Sequence, residues 1–265
     1  AEELQLIDIS GLLISISDLH LGNMPRMKSL VLNSITDTRE LNLNTFCPNV
    51  ESINIGSFAD LEHLEVEHCS RLRNIQIYSN PKLTSMELGN HPEVEELYCS
   101  YNGFSSFSLK GLPKLRSVDL GYNSALASLE LDEINALLIS GCAFQSVDDV
   151  LECCPSLNEL SCSGNRLTEL DLTKHLSIRE LHCDHNRLTR LLVPEGQYFG
   201  HLYCHSNQLG EAALKTLFVS LGQVPKPTPE YPTPPQCRIS YSDNPGNKES
   251  LKEILKEKNC IVDEE

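Results

Sequence analysis

One short pattern recurs along this chain: VEELYCSYN (94–102), LRSVDLGYN (115–123), LNELSCSGN (157–165), IRELHCDHN (178–186) and FGHLYCHSN (199–207). In each, an apolar residue is followed three positions on by a second, two beyond that by Leu or Cys, and three further by Asn. The central residues Leu97, Val118, Leu137, Leu160, Leu181 and Leu202 are 21, 19, 23, 21 and 21 residues apart. Ile75, Ile53, Leu30 and Ile7 carry the series back toward the start. A period near 21 to 23 from about residue 4 to 209 predicts stacked coils, because a segment this short cannot bury its own apolar edge.

Alternate residues of an extended chain face opposite ways, so the Leu and the Leu or Cys two positions later share one face, the inward one. Stacking about nine coils about 4.8 Å apart makes a continuous parallel sheet. Asn80, Asn102, Asn123, Asn165, Asn186 and Asn207 fall where the chain leaves the strand, where a short amide can satisfy backbone groups of the turn. Ile35, Phe58 and Cys142 take that place in other coils.

The wording LSCSGNRLTELDL (160–172) and LHCDHNRLTRLLV (181–193) resembles the leucine-rich-repeat family, in the short-repeat type of secreted or surface-anchored bacterial proteins. The resemblance spans roughly four fifths of the chain. It implies a mainly β repeat solenoid: a right-handed arc with a parallel sheet on the concave face, extended segments on the back and a small α/β C-terminal cap. The solenoid is expected over 1–209 and the capping segment over 210–265.

A second apolar pair recurs between the strands, at Leu41/Leu43, Leu64/Val66, Met86/Leu88, Leu129/Leu131, Leu170/Leu172 and Leu191/Val193. Coils this short leave little room for a helix, so the back is expected to be extended and the arc shallow. Pro25, Pro48, Pro92, Pro113 and Pro155 each precede a central apolar residue by five positions and mark where strands begin. The rhythm then breaks. EAALKTLFVSL (211–221) has helical spacing, VPKPTPEYPTPP (224–235) reads as a proline-rich loop, and CRISYS (237–242) is strand-like. A helix over 248–258 and a terminal CIV (260–262) complete the cap.

ELHCDHN (180–186) and HLYCHSN (201–207) raise the question of a metal. The register answers it in part: Cys183 and Cys204 take inward positions while His182, Asp184, Tyr203 and His205 point outward. Ligands of one zinc must converge to about 2.0–2.3 Å, which opposite faces forbid, so no mixed Cys/His centre and no cofactor are expected. Cys99, Cys162, Cys183 and Cys204 read as reduced thiols lining a buried column, since in-register strands hold them poorly for a disulfide. Among the eleven cysteines, Cys153 with Cys154 and Cys237 with Cys260 are left unassigned, and only for Cys237 with Cys260 does a bridge stay open.

Two outward patches remain as candidate partner surfaces. A shift of 21 residues sets Glu180 beside His201, His182 beside Tyr203 and Asp184 beside His205, a polar patch able to pair internally or meet a ligand. Farther up the same face stand Tyr78, Glu96, Tyr98, Tyr101, Asp119 and Tyr122; tyrosine couples a large contact area to a polar tip. HLEVEH (63–68) looks like a ligand motif, yet its register puts His63 and Glu65 on the back surface.

No phosphate loop, nucleophile elbow, HExxH or dinucleotide fingerprint occurs. A net charge of −16 without a basic run argues against nucleic acid or anionic lipid as partner. No apolar run reaches the roughly 18 residues of a membrane span. The start AEELQL, without an initiator Met or a basic-then-apolar leader, reads either as a processed chain or as one from which a leader was trimmed, leaving a signal peptide or lipid anchor to a precursor. The expectation is a monomeric, non-catalytic adhesion or recognition module, secreted or at a bacterial cell surface, binding a protein through the concave face. Glycan or peptide binding, and a metal-dependent or His/Asp-assisted hydrolytic site at 180–205, are the alternatives.

Overall fold

The computed structural model describes residues 4–10, 14–15, 22–226 and 236–263. The chain divides into two compact units, Ala1–Ile134 and Asn135–Glu265. In the first, the front strands Leu6–Ile9, Ser29–Asn33, Ser52–Gly56, Asn74–Tyr78, Glu96–Tyr98 and Ser117–Asp119 pair in parallel and in sequence order. In the second, Ala136–Leu138, Glu159–Ser161, Glu180–His182, His201–Tyr203, Arg238–Ser240 and Ile261–Val262 do the same. Ten described front strands thus precede residue 209, where the spacing suggested about nine.

Register follows the repeat. Leu30, Ile53, Ile75, Leu97 and Val118 are aligned partners in the first unit, as are Leu137, Leu160, Leu181, Leu202 and Ile239 in the second, and all are buried. Burying each such side chain contributes about 1.5–3 kcal/mol relative to exposure. On the back, short strands pair over Glu40–Asn42, His63–Glu65 and Ser85–Glu87, over Ser106–Ser108 and Ser128–Glu130, and over Glu169–Asp171 and Arg190–Leu192.

The back is not uniformly extended. A single helical turn, Leu43–Phe46, is capped by Asn42, whose Oδ1 accepts from the Thr45 N–H at 3.1 Å. A helix, Asp148–Cys153, occupies the coil between Leu137 and Leu160, burying Val150 and Leu151, with Asp148 and Asp149 in its first turn where the helix dipole favours them. That coil has two residues more than its successors, and its six-residue helix makes about a turn and a half.

The turn asparagines form two hydrogen-bonded ladders. Oδ1 of Asn80, Asn102 and Asn123 accepts, at 3.1 Å each, from the N–H of Phe58, Asn80 and Asn102 in the preceding coil. Asn165, Asn186, Asn207 and Asn244 serve Phe144, Leu167, Leu188 and Leu209 at 2.9–3.0 Å. Their Nδ2 atoms donate to carbonyls of their own and the preceding coil, as Asn207 does to Cys204 and Cys183. One side chain therefore satisfies buried backbone groups on two coils, which explains why an amide is placed there.

The C-terminal segment continues this order. Arg238–Ser240 extends the front sheet and Asn244 adds a rung to the ladder. Tyr241 takes the position held by Cys162, Cys183 and Cys204, its ring edge-on to Phe218 of the helix Glu211–Ser220 at 4.9 Å. The helix Glu249–Glu257 buries Leu251 and Leu255. Val224 is buried, and residues 227–235 of the proline-rich stretch lie outside the described residues. Among the described residues, no helix is long and apolar enough to cross a membrane.

Candidate functional site

The cysteines of the repeats are interior. Cys99, Cys162, Cys183 and Cys204 are fully buried, and all eleven cysteines are free thiols. Burial pushes the Cys162 and Cys204 thiols up to about 12 and Cys183 well above its ordinary value, so they stay protonated at neutral pH and are poor nucleophiles and poor metal ligands. Cys237 and Cys260, whose pairing the sequence leaves open, stand as thiols with sulfurs 3.2 Å apart, Cys260 donating to Cys237.

The tyrosine patch sits in the first unit. Tyr78 is only half exposed, and its hydroxyl donates to Asn33 Oδ1 at 3.0 Å, two strands back. Gly56 makes this reach feasible, because a Cβ there would come within 2.5 Å of the Tyr78 ring. Tyr78 therefore ties the sheet together more than it offers a surface. Tyr98 is 40% exposed and donates to Glu96 Oε2 at 2.7 Å, a bond that raises its pKa. Asp119 accepts from the Gly121 N–H at 2.9 Å and so shapes the turn below Tyr122.

Among the described turn residues, Tyr101 and Tyr122 stand apart. Their rings stack at 4.4 Å between centroids and 8° between planes, and they are 52% and 53% exposed. Both occupy the position before the turn asparagine, where the backbone is left-handed in coil after coil. Ser34, Ser57, Ser79, His185, Ser206 and Asp243 have φ of 52° to 61° there, Gly141 and Gly164 have 68° and 65°, and both tyrosines have 58°. Small or short polar residues accept this conformation at low cost; a bulky one in the left-handed region is strained. Two consecutive coils bear that strain to present one exposed stacked pair.

The second patch belongs to the C-terminal unit. Glu180 aligns with His201 and His182 with Tyr203. Glu180 Oε2 lies 2.6 Å from His201 Nδ1, and the His182 and Tyr203 rings meet edge to face at 4.8 Å. The Tyr203 hydroxyl donates to Asp263 Oδ2 at 3.4 Å. Gly200 leaves room for the Glu180 carboxylate, which a Cβ at that position would strike.

Asp184 and His205 depart from the outward placement expected of them: their side chains are only 15% and 10% exposed. The period-2 alternation holds within the three-residue strands but not beyond them. Past Cys183 and Cys204 the chain already bends into the turn, laying these residues just beyond the C-terminal ends of their strands. There Ser163 Oγ donates to Asp184 Oδ1 at 2.6 Å, and His205 Nε2 lies 3.7 Å from Asp184 Oδ2. Burial works to raise the Asp184 pKa, but hydrogen bonds from Ser163 and His185 outweigh it and the net shift is downward. His185 was not singled out from sequence, being assigned to no face. It sits at a left-handed turn position with φ 52°, and its Nδ1 lies 2.9 Å from Asp184 Oδ2.

With this geometry in view, solved structures supply the comparison. The functional domain of InlJ from Listeria monocytogenes, described as including a cysteine ladder, superimposes with a TM-score of 0.67 at 19% identity, over 90% of this chain and 48% of that one. The leucine-rich repeat domain of APL1B matches with a TM-score of 0.63 at 18% identity, over 91% of this chain and 75% of that one. The LRIM1/APL1C complex gives 0.56 at 17% identity, over 88% and 50%. This chain has the leucine-rich-repeat fold. It spans about half the length of the InlJ domain. No family model matches the sequence, and no curated protein does.

Proposed function

We propose that this leucine-rich-repeat chain is a non-catalytic recognition module that binds a protein partner through its front sheet, with the Tyr101–Tyr122 pair as the anchor. The observation that carries the reading is the strained, exposed, stacked pair: aromatic area already ordered before binding loses little conformational entropy on contact. Tyr98, Glu96 and Asp119 surround it with hydrogen-bonding groups, the usual arrangement of an apolar centre with a polar rim. A complex formed by a protein of the same fold, LRIM1/APL1C, is in keeping with a protein partner. The short-repeat wording shared with secreted and surface-anchored bacterial proteins supports a station outside the cell, with adhesion as the corresponding role.

The test is affinity capture from the source organism and its surroundings with the wild-type chain and with Tyr101→Ala/Tyr122→Ala. The expected result is a protein retained by the wild type and lost from a folded double variant. A double variant that retains the same proteins would overturn the assignment.

A further inference from the structure

In the C-terminal unit, three ligating side chains converge at one point. Asp184 Oδ2 lies 2.9 Å from His185 Nδ1 and 3.7 Å from His205 Nε2, and one ligand atom from each residue falls within 4.8 Å of the others. We propose that Asp184, His185 and His205 form a binding site for a divalent transition-metal cation of the zinc and cobalt class. This site is independent of the tyrosine-pair reading, lying on other residues and standing or falling by metal binding alone.

The donor set fits: two imidazoles and a carboxylate suit zinc, cobalt and nickel and are too nitrogen-rich for calcium or magnesium. The geometry is close to what such an ion needs. Metal bonds of about 2.0–2.2 Å in a tetrahedron set ligand atoms roughly 3.3–3.6 Å apart. Rotation of the His185 ring, 63% exposed, supplies the adjustment, while Asp184 and His205 are held by their burial.

Outer groups already orient the inner ones. Ser163 engages Asp184 Oδ1 and leaves Oδ2 toward the imidazoles. Ser206 Oγ lies 3.3 Å from His205 Nδ1, a partner for the ring's far nitrogen that turns Nε2 toward Asp184. Support of this kind fixes a ligand's direction and tautomer in metal sites. Three protein ligands with His185 at the surface leave a coordination position open to solvent.

The cluster does not follow from the repeat itself. One coil earlier the same two positions hold Ser163 and Gly164, and one coil later Ser242 and Asp243. Only this pair of coils places imidazoles there. The buried thiols of Cys183 and Cys204 point inward, away from it, and the acidic chain favours cation approach.

The experiment is titration of the purified chain with Co²⁺ alone, in a non-thiol reductant, followed by visible absorption and thermal melting. Expected are one saturable equivalent, a nitrogen/oxygen-type spectrum without a sulfur charge-transfer band, and a raised melting temperature. Asp184→Asn, His205→Gln and His185→Ala should each weaken binding more than about tenfold, and Ser163→Ala, which removes an outer partner, by at least about tenfold. His68→Ala, an exposed histidine elsewhere, should leave it unchanged. No saturable binding up to millimolar Co²⁺, a thiolate band, or wild-type affinity in a folded His185→Ala would overturn the site. Should His205→Gln fail to fold, the exposed His185→Ala decides alone.

Discussion

Removing the amide of Asn186 strips several bonds at once. Its Oδ1 accepts from Leu167 N–H at 3.0 Å, and its Nδ2 donates to the carbonyls of Cys162 and Cys183 at 3.0 and 3.1 Å. The Leu167 N–H is left unpaired, which costs about 1–3 kcal/mol, and two further bonds of about 0.5–1.5 kcal/mol each are lost from carbonyls that Asn165 and Asn207 still serve, so Asn186→Ala is expected to destabilise the fold by about 2–5 kcal/mol. Urea unfolding of the variant checks this; a loss below about 1 kcal/mol would show that the ladder is dispensable. The sequence made the position of this residue visible, because the amide recurs at fixed spacing, but not its bonds to Leu167 and Cys162, which lie on the preceding coil. His91 makes a separate claim. It is completely buried, and burial lowers its pKa below the ordinary histidine value. The unfolded chain therefore binds a proton that the folded one resists. The contribution is present above the unfolded pKa of about 6.5 and is lost as pH falls through the lower folded value. Melting temperature should drop on acidification from about pH 7 into the range below 6.5, and less steeply in His91→Gln.

Left-handed turns recur in each unit, and their occupants decide what the elements display. Tyr101→Asn/Tyr122→Asn exchanges a stacked pair for residues that tolerate positive φ. The stack contributes about 0.5–1.5 kcal/mol in all, whereas the strain relieved is about 1–3 kcal/mol at each of the two residues. The double variant should unfold at or above the wild-type denaturant midpoint while losing partner capture. A clear loss of stability would instead make the pair a structural clamp. At this scale the front strands were legible, since a Leu–x–Leu or Leu–x–Cys step of period 2 admits one reading. The helix Asp148–Cys153 was not, although Val147, Val150, Leu151 and Cys154 are all buried at helical spacing. The expectation of extended backs overrode that signal. His205 was misplaced for a related reason: alternation was carried past the end of a three-residue strand.

Over the molecule as a whole, each repeat gains its stability from the neighbour that covers it, so the last coil depends on the C-terminal segment stacked against it. Arg238–Ser240 supplies the hydrogen-bonding partner of His201–Tyr203, and Tyr241, packed on Phe218, closes the cysteine column. The sequence marked this segment as a cap because it departs from the period, yet Ile239, Tyr241 and Asn244 preserve the repeat's own spacing. The segment therefore continues the repeat as a further coil. Tyr241→Ala should open a cavity beneath Phe218 and cost about 3–5 kcal/mol, a loss expected throughout the C-terminal unit because stacked coils share one core. Tyr241→Phe separates packing from polarity. The Tyr241 hydroxyl is buried without a hydrogen-bond partner among the described residues, so its removal should leave stability unchanged or slightly raised. Hydrogen exchange on both variants reads the outcome. Faster exchange of the Glu180–His182 and His201–Tyr203 amides in Tyr241→Ala, with wild-type rates in Tyr241→Phe, is the pattern a shape-filling cap requires. Wild-type exchange in Tyr241→Ala would mean that the last coil stands without it.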